Sequence, residues 1–316
     1  MRKEPYVVVL GASVVDIFGF STSKYRPNNS TPGRVKMSFG GVCRNIAENL
    51  ARVHVNTKFI SVIGDDEKGR SMVEHSELYG YDMSDSLVLK DSGTPTYLAI
   101  LNEMGEMVSA IADMKALDQM TTGFIDSKAE IIKGSDYLFL DADSPENLKH
   151  ILETYKGHTH FILDPVSAEK AISIKHLLHH FHTIKPNRYE AEVLSGIEIN
   201  SDEDLLKTGQ YFVDLGIENV FISLDCEGIF YTNGKEALKV TAVDVNVCNV
   251  TGAGDSFVAG LGYGYTNGLA ITETIQTAMA MSIIAISSEE TINPDLSPNL
   301  IQSIIDETQW IIKKFD

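Results

Sequence analysis

The amino-acid sequence predicts an α/β fold in which helices flank a mostly parallel central sheet, with a small β-sheet added to it. First, short runs rich in β-branched and aromatic residues alternate with longer amphipathic stretches, the rhythm of repeated strand–helix units. Second, two segments break this rhythm with a period of two. Third, the 316 residues are 43% hydrophobic and 22% charged, which is typical of a globular chain with a large core.

Each predicted strand of the central sheet is a short apolar run. These runs are residues 7–10, 58–62, 137–140, 161–163 and 220–223. The stretches between and after them carry apolar residues at helical spacing. The predicted helices are residues 45–53, 71–79, 146–155, 205–215, 255–265 and 271–287. Sheets of this kind bind ligands at the carboxyl ends of their strands, so we expect the functional residues there.

The two segments with a period of two predict a separate antiparallel layer. Residues 34–39 place apolar side chains at every second position, as in a half-buried strand. Residues 96–101 and 107–112 flank a polar turn at 102–106 that contains Gly105, which indicates a hairpin. Together they predict a small β-layer that could serve as a lid.

Charge and composition exclude several classes of function. The formal net charge of −18 argues against a general binder of nucleic acid or anionic membranes, which would need a basic surface. No apolar run approaches 18 residues, so no transmembrane helix is expected. Cys43, Cys226 and Cys248 are far apart and form neither a CxxC pair nor a disulfide framework, which predicts a reducing cytoplasm.

The strongest motif is residues 249–255, Asn-Val-Thr-Gly-Ala-Gly-Asp, which follows a strand-like stretch at 240–247 and opens a helix. Glycines at a helix start let backbone N–H groups converge on an anion, and Asp255 could accept a proton from a hydroxyl group. These features suit attack of an alcohol on a phosphoryl group. Gly260 and Gly264 would let the helix pack closely. The alternative is a tight turn with Asp255 as an ordinary acidic residue of the first helical turn.

Two other phosphate-binding interpretations are weaker. Gly252 and Gly254 lack the third glycine of a dinucleotide-binding GxGxxG motif and lie late in the chain. Residues 64–71 have the glycine spacing of a P-loop, but Arg70 stands where the motif needs lysine. Three acidic side chains in that loop would also repel phosphate. We interpret residues 64–71 as a polar turn before a helix.

Two further motifs have polar groups suited to a sugar. Gly40 and Gly41 would let the backbone approach a ligand, and Asn45 can both donate to and accept from hydroxyl groups. A hairpin exit with Asn45 as a helix cap explains the same residues. Asp16, just past the first strand, could bind two vicinal hydroxyls, although an ordinary loop aspartate is the simpler interpretation.

Asn187 and Glu190 lie three residues apart at a predicted helix start. Glu190 could hold a hydrated Mg²⁺ ion and Asn187 a phosphate oxygen. On these two residues alone, a capping box is the favoured interpretation. Histidines are also dense nearby and could bind zinc, but no Cys or nearby carboxylate completes a site, so a solvated helix face is favoured. They are His176, His179, His180 and His182.

The two glycine motifs in this order, with Asn187 and Glu190 between them, resemble the PfkB (ribokinase-like) family of carbohydrate kinases over essentially the whole chain. The resemblance implies a ribokinase-like, Rossmann-type sandwich that forms a single domain over residues 1–316. It also implies a discontinuous β-lid drawn from about residues 15–39 and 95–113, and a homodimer formed through that lid. The implied activity is ATP-dependent phosphorylation of a primary hydroxyl.

The resemblance also implies roles for individual residues. Asp255 matches the catalytic base, and Glu190 the residue that holds Mg²⁺ through water. The anion hole matches Thr251, Gly252, Ala253 and Gly254. The sugar contacts match Asp16, Gly41, Asn45 and Asp143, and the ATP-binding residues match Asn187, Ser223 and Gly228. Asn249 stands where many members carry an aspartate that helps to hold a monovalent cation, so a K⁺ site is expected to be weakened.

Within the family, five segments resemble the kinases that act on pseudouridine. They are residues 40–47, 164–168, 182–188, 249–255 and 293–297. This likeness implies phosphorylation of the 5′-hydroxyl of pseudouridine, giving pseudouridine 5′-phosphate and ADP in nucleoside breakdown. The alternatives are a ribokinase, another sugar kinase or an ordinary nucleoside kinase of the same fold. A nucleotide-binding regulator without chemistry and a dehydrogenase are the alternatives from other classes.

Overall fold

The computed structural model describes residues 5–245 and 247–315. The strands, numbered in chain order, are β1 Val7–Leu10, β2 Val14–Ser21, β3 Gly33–Gly40, β4 Thr57–Ile60, β5 Val62–Gly64, β6 Tyr81–Asp82, β7 Leu87–Leu89, β8 Thr96–Leu101, β9 Met107–Asp113, β10 Tyr137–Asp141, β11 His160–Asp164, β12 Thr183–Ile184, β13 Asn219–Ser223, β14 Ile229–Thr232, β15 Ala237–Ala242 and β16 Trp310–Phe315. The α-helices are α1 Val42–Arg52, α2 Glu67–Tyr79, α3 Thr122–Ser127, α4 Ala129–Lys133, α5 Pro145–Thr154, α6 Ala168–Ile174, α7 Arg188–Ser195, α8 Asp202–Asp214, α9 Ala253–Thr266, α10 Ile271–Ile286 and α11 Pro298–Glu307.

A ten-stranded sheet forms the centre of the molecule, in the order β16-β15-β14-β13-β12-β11-β10-β1-β4-β6. Neighbours from β13 to β6 pair in parallel, and β14, β15 and β16 extend the sheet antiparallel. This arrangement confirms the predicted α/β class with a mostly parallel central sheet. From β1 the chain proceeds to β4 and β6 on one side, whereas β10 to β13 lie on the other. The strand order therefore reverses between β1 and β10, where open α/β sheets have their ligand crevice.

The alternating side chains of β1 fill two hydrophobic cores, one on each face of the sheet. Val8 and Leu10 pack into the core that also contains apolar residues of α5, α6, α7 and α8. Val7 and Val9 pack into the opposite core with residues of α1, α2, α9, α10 and α11. Because both faces are covered, β1 is apolar at every position, as expected for a central parallel strand.

Helix α9 packs closely against α10 because two of its positions lack side chains. A Cβ at Gly260 would lie 2.4 Å from Cα of Ala278, and one at Gly264 would lie 2.5 Å from Cγ2 of Thr274. The close packing predicted for this helix is therefore confirmed. It fixes the N-terminus of α9, where the 249–255 motif lies.

A second, four-stranded sheet has the order β3-β2-β8-β9 and is called the lid sheet here. The residue pattern predicted the antiparallel β3 strand and the β8–β9 hairpin, whereas β2 was included only in the lid range that the family resemblance implied. The prediction that β3 is half-buried is wrong for its outer half, because Val35 is 76% and Met37 52% exposed. No described element covers these side chains. The alternating pattern therefore predicted the strand correctly but not how much of it is exposed.

Two predicted strands have different bounds in the structure. The run at 58–62 is divided, with β4 in the central sheet and β5 paired with β7. The stretch at 240–247 forms a strand only as far as Ala242, and Asn246 lies outside the described residues. Asp244 has φ of 57°, which a strand does not accommodate.

Three predictions about local features can also be compared with the structure. Asp66 caps α2 by accepting a hydrogen bond from the N–H of Gly69 at 2.8 Å, which confirms that residues 64–71 are a polar turn before a helix. His176 and His179 are exposed, whereas His182 is half-buried. The prediction that the histidines lie on a solvated helix face therefore holds for only part of the cluster. None of the helices within 5–245 and 247–315 is long and apolar enough to cross a membrane.

Candidate active site

Polar residues line one edge of the central sheet, at the carboxyl ends of successive strands. The parallel register places Leu10 beside Leu140 and Asp141 beside Asp164. Lys185 directly follows β12, which pairs with β11. The carboxylates of β10 and β11 and the ammonium group after β12 therefore occur in sequence along this edge, next to the reversal in strand order.

Asp255 and Asn45, which are 210 residues apart in the chain, form a direct contact at this edge. The Asn45 Nδ2 group donates a hydrogen bond to Asp255 Oδ2 at 2.8 Å. Arg44 donates from Nη1 to Asn45 Oδ1 at 3.0 Å and to the carbonyl oxygen of Phe39 at 2.8 Å. Arg44 thus fixes the amide so that its nitrogen faces the carboxylate. The structure therefore brings together the functional residues predicted from the two glycine motifs.

Asn45 is not the cap of α1, so that alternative is wrong. Gly41 is the N-cap residue, with φ of 103°. A Cβ there would lie 2.5 Å from the carbonyl oxygen of Ala12, so this position favours glycine both by conformation and by space. The tight approach presses the Gly40–Gly41 turn against the chain that follows β1.

The carboxyl group of Asp255 is poised near neutral pH. Burial raises its pKa to about 7, and the charge of Asp164 adds to that rise. The hydrogen bond from Asn45 and the charges of Lys185 and Arg44 act in the opposite direction. A carboxyl group with a pKa near the working pH is suited to accept and release a proton during a reaction.

The N-terminus of α9 forms a nest of backbone N–H groups beside Asp255. Gly252 is its N-cap in the left-handed region, with φ of 82°, and a Cβ there would lie 2.2 Å from the carbonyl oxygen of Thr291. Asn249 Oδ1 accepts a hydrogen bond from the N–H of Thr251 at 3.0 Å, which orders the approach to the helix. The N–H groups of Gly254 and Asp255 lie in the first turn and have no helical acceptor. This end of α9 can therefore hold an anion.

A buried ion pair lies next to this nest. Lys185 Nζ is 3.3 Å from Asp164 Oδ2, and both side chains are buried. Asp164 Oδ1 also accepts a hydrogen bond from the N–H of Val166 at 2.9 Å. Val166 has φ of 68°, a conformation that β-branched residues rarely adopt, so the turn after β11 is strained where it holds the carboxylate.

Asn187 and Glu190 form the capping box that the sequence favoured. Asn187 Oδ1 accepts from the N–H of Glu190, and Glu190 Oε2 accepts from the N–H of Asn187, both at 2.8 Å. Burial raises the pKa of Glu190, and the charge of Lys185 partly offsets the rise. The cap therefore places a buried carboxylate within electrostatic range of the Asp164–Lys185 pair, so the structural and functional interpretations of these residues are compatible.

Two cavities open at this edge. The larger, of about 830 Å³, is lined by the polar side chains of Lys185, Asn187, Ser223, Asp225 and Asp244 and by the chain at Gly228, Ala253 and Gly254. Its apolar walls include Ile229, Val247, Val250, Phe257, Met279 and Ile283. The smaller, of about 480 Å³, lies over the ends of β1 and β10 and is acidic. Its acidic lining residues are Asp118, Asp141, Asp143 and Glu146.

Asp143, which was predicted to bind a sugar, lines the smaller cavity together with Asp141. Its carboxylate pairs with Lys170 at 2.5 Å and is one-third exposed. Asp141, two residues earlier, is buried at the end of β10, and its Oδ2 has no hydrogen-bond partner among the described residues. A Cβ at Gly11 would meet this Oδ2 at 2.6 Å, so Asp141 faces the chain after β1. Asp141 is therefore the better-placed carboxylate at this position of the sheet.

Asp16 lies on β2 of the lid sheet, so it is a strand residue, not a loop residue. Its Oδ2 would be 2.1 Å from a Cβ at Gly40, which shows how closely the carboxylate packs against the glycine motif. Burial raises its pKa, and the charge of Arg44 opposes the rise. Asp16 and Asn45 thus both lie close to the Gly40–Gly41 turn, since the N–H of Asn45 donates to the carbonyl oxygen of Gly41 at 2.8 Å.

Sequence reasoning assigned no role to Asp141, Asp164 or Lys185. One signal was available, because two apolar runs end in the same way, with aspartate directly after three apolar residues at 138–141 and at 161–164. In a parallel sheet such residues lie together at the ligand-binding edge. The neighbours of Lys185 could not be inferred without the strand order.

The comparison with known proteins decides the family. Residues 4–298 match the model of the pfkB family carbohydrate kinases. The chain belongs to this family. It is 34% identical to the pseudouridine kinase of Escherichia coli over 313 residues, covering 98% of this chain and 100% of that protein. Accordingly, it is a phosphotransferase that uses an alcohol group as acceptor.

Solved structures of pfkB-type proteins show the same fold. A Clostridium perfringens protein described only as a candidate sugar kinase is 59% identical, with a TM-score of 0.97 and 100% of both chains covered. The ribokinase of Thermotoga maritima is 20% identical, with a TM-score of 0.80 over 96% of this chain and 100% of that one. The ribokinase-like architecture implied by the motifs is therefore confirmed.

Proposed function

We propose that this kinase transfers the γ-phosphoryl group of ATP to the 5′-hydroxyl of pseudouridine. The observation that carries the proposal is the Asn45–Asp255 contact at the N-terminus of α9, next to a cavity with an apolar part and a cationic end. The pseudouridine kinase relative supports the substrate, since its likeness extends over nearly the whole chain.

The larger cavity suits ATP. Apolar side chains such as Ile229 and Met279 can enclose an adenine ring, while Lys185, Asn187 and the N–H of Gly254 lie toward the phosphates. The buried carboxylate of Glu190 fits a hydrated Mg²⁺ ion, because hard cations prefer oxygen ligands and commonly keep several waters. Mg²⁺ would offset charge on the phosphate oxygens.

The acidic cavity suits a neutral acceptor rich in hydrogen-bond donors. Pseudouridine offers two ring N–H groups as well as its ribose hydroxyls, whereas a phosphate group would be repelled by the carboxylates that line this cavity. We assign the ribose contacts to Asp16, Gly41 and Asn45, and we add Asp141 because it lines the acidic cavity. The 5′-hydroxyl would then reach Asp255 beside its contact with Asn45.

The reaction follows from this arrangement. Asp255 takes the proton of the 5′-hydroxyl as its oxygen attacks phosphorus, and the bond from phosphorus to the β-phosphate oxygen breaks to release ADP. Within and next to the predicted anion hole, the N–H groups of Gly252, Gly254 and Asp255, which have no acceptor among the described residues, stabilise negative charge on the phosphoryl oxygens. The lid sheet would cover the acceptor and exclude water, which limits hydrolysis of ATP.

The homodimer, the cytoplasmic location and the K⁺ site belong to the same proposal. Val35, Met37 and Ile111 leave apolar side chains exposed on the lid sheet, which favours association of two chains through it. Cys43, Cys226 and Cys248 are free thiols, as expected in a reducing compartment. Asn249 is neutral, so K⁺ is expected to activate the enzyme only weakly.

Steady-state release of ADP tests the substrate. Purified protein is mixed with MgATP and, separately, with pseudouridine, uridine, guanosine, ribose and fructose. We expect kcat/KM to be at least about tenfold higher for pseudouridine than for uridine, because each satisfied polar contact contributes about that factor. Higher kcat/KM for ribose or guanosine would contradict the proposed substrate while leaving the family assignment intact.

Replacing each of the two neighbouring aspartates tests where the acceptor binds. We expect Asp141→Asn to raise KM for the acceptor about tenfold, because the amide has one acceptor oxygen where the carboxyl group has two. Burial raises the pKa of Asp141 to about 7, so this effect should be larger at pH 8 than at pH 6. Asp143→Asn should change this KM less, because its partner is Lys170. KM for ATP should be unaffected in both variants. An equal or larger effect at Asp143 would contradict the assignment of Asp141.

A further inference from the structure

Lys185 is an ammonium group buried at the inner end of the larger cavity. Its side chain is 7% exposed, and it lines the cavity together with Asn187 and Gly254. Among the described residues, Asp164 is the carboxylate within ion-pair distance of it. An ammonium group has three donors, so one ion pair leaves capacity for further acceptors.

Lys185 also faces the nest at the start of α9. A Cβ at Gly254 would lie 3.0 Å from Nζ of Lys185, so the missing side chain at 254 leaves the ammonium open to the space in front of the helix N-terminus. Backbone N–H groups and a cation thus converge on one position. That position lies next to Asp255, which is the proposed base.

The surrounding charges keep Lys185 protonated. Burial alone would lower the pKa of Lys185, but the negative charges of Asp164, Glu190 and Asp255 outweigh it, and the pKa is raised. A buried cation lowers the stability of the fold unless it is paired. Replacing a buried ion pair by well-packed apolar residues is often neutral for stability, so stability alone does not explain the Lys185–Asp164 pair. Because its protonated ammonium group lies beside the nest of N–H groups, Lys185 can also contact an anion that is bound there.

We propose, on the basis of the kinase function above, that Lys185 is a catalytic residue whose ammonium group contacts the phosphoryl group under transfer. In this assignment the phosphoryl group leaves the β-phosphate oxygen and bonds to the acceptor oxygen, while the acceptor proton goes to Asp255. Lys185 remains protonated throughout and stabilises the charge on the phosphoryl oxygens. Asp164 holds the ammonium in place as a positioning residue.

Nucleotide binding without an acceptor separates this role from a structural one. Dissociation constants are measured by calorimetry for MgADP and for the magnesium complex of AMP-PNP, which carries a γ-phosphoryl group. We expect Lys185→Met to weaken AMP-PNP about 10- to 100-fold and ADP less than about threefold, since only the former reaches the ammonium. Lys185→Arg should recover part of the loss. Lys58→Met, which removes the remote 2.6 Å pair with Asp82, is the control and should change neither constant.

A second variant keeps the test decisive if Lys185→Met does not fold. The double variant Lys185→Met/Asp164→Asn also removes the charge of the carboxylate that pairs with Lys185, and it is compared with Asp164→Asn alone. The double variant should still lose the γ-phosphoryl-dependent affinity and lower kcat about 10²-fold or more relative to Asp164→Asn.

Two results would overturn the proposed role of Lys185 but not the proposed kinase function. One is an equal loss of ADP and AMP-PNP affinity in Lys185→Met, and the other is turnover of the double variant equal to that of Asp164→Asn. Wild-type protein that binds neither nucleotide would overturn the proposed function as well.

Discussion

The Asp255→Asn variant is expected to lose at least about 10²-fold in kcat and yet to be more stable than the wild type above pH 7. Asparagine cannot accept the proton of the attacking hydroxyl, so general-base catalysis is lost. It keeps an oxygen that can accept the hydrogen bond from Asn45, so the local structure should survive. If kcat falls while the folded state becomes more stable, the loss of activity cannot be caused by misfolding.

The gain in stability follows from the sign of the pKa shift. Burial and the charge of Asp164 raise the pKa of Asp255 from 3.8 to about 7 in the folded chain. Ionisation is therefore harder in the folded than in the unfolded state, and the free energy of unfolding falls as the pH rises from about 4 to 7. Removing this group should restore about 2–4 kcal/mol at pH 8 and little at pH 4.

Thermal unfolding at pH 4.5 and pH 8 measures this difference, with Asp214→Asn at an exposed position of α8 as the control. The increase in Tm should appear only for Asp255→Asn and mainly at pH 8. In the wild type, kcat/KM should fall as the pH is lowered below about 7, because the base becomes protonated. Turnover close to that of the wild type would rule out Asp255 as the base, and a Tm change independent of pH would contradict the raised pKa.

The Gly252→Ala variant is expected to combine the second large loss of activity with a loss of stability. The left-handed conformation at φ of 82° is about 1 kcal/mol less favourable for alanine than for glycine. The alanine Cβ would also lie 2.2 Å from the carbonyl oxygen of Thr291. Relief of that contact requires the start of α9 to move. Because the N–H groups there must point at the phosphoryl oxygens, we expect kcat to fall about 10²-fold or more.

Gly268→Ala provides a matched control for this prediction. Gly268 is also left-handed, with φ of 64°, but a Cβ there meets nothing within 4 Å. It should cost only the conformational term of about 1 kcal/mol and leave kcat unchanged. Urea unfolding and ADP release on both variants make the comparison. Equal stability and equal kcat in the two variants would show that the contact with Thr291 does not position the anion hole.

The sequence predicted those features that depend on local pattern. Apolar runs such as 7–10 identified central strands because both faces of a parallel sheet are buried. Gly252 and Gly254 predicted an anion site, and the structure places N–H groups without a helical acceptor at this helix start. Asn187 and Glu190 were readable as a capping box because the two groups lie three residues apart.

The features that sequence reasoning missed depend on which strands become neighbours. Asp141 and Asp164 lie on adjacent strands because β10 pairs with β11, and nothing local to either residue encodes that pairing. The same holds for Lys185, whose environment combines residues from three separate parts of the chain. Exposure of Val35 could not be read from its alternating pattern, because burial depends on what covers the sheet.

The most direct test of the central claim is ³¹P NMR of the product formed from pseudouridine and MgATP, with uridine present as an equimolar competitor. The account predicts one nucleoside monophosphate formed for each ADP, with its phosphorus coupled to the two 5′ protons of pseudouridine, and little uridine phosphate. Preferential phosphorylation of uridine, phosphate on a secondary hydroxyl, or ADP release without any phosphorylated nucleoside would contradict it.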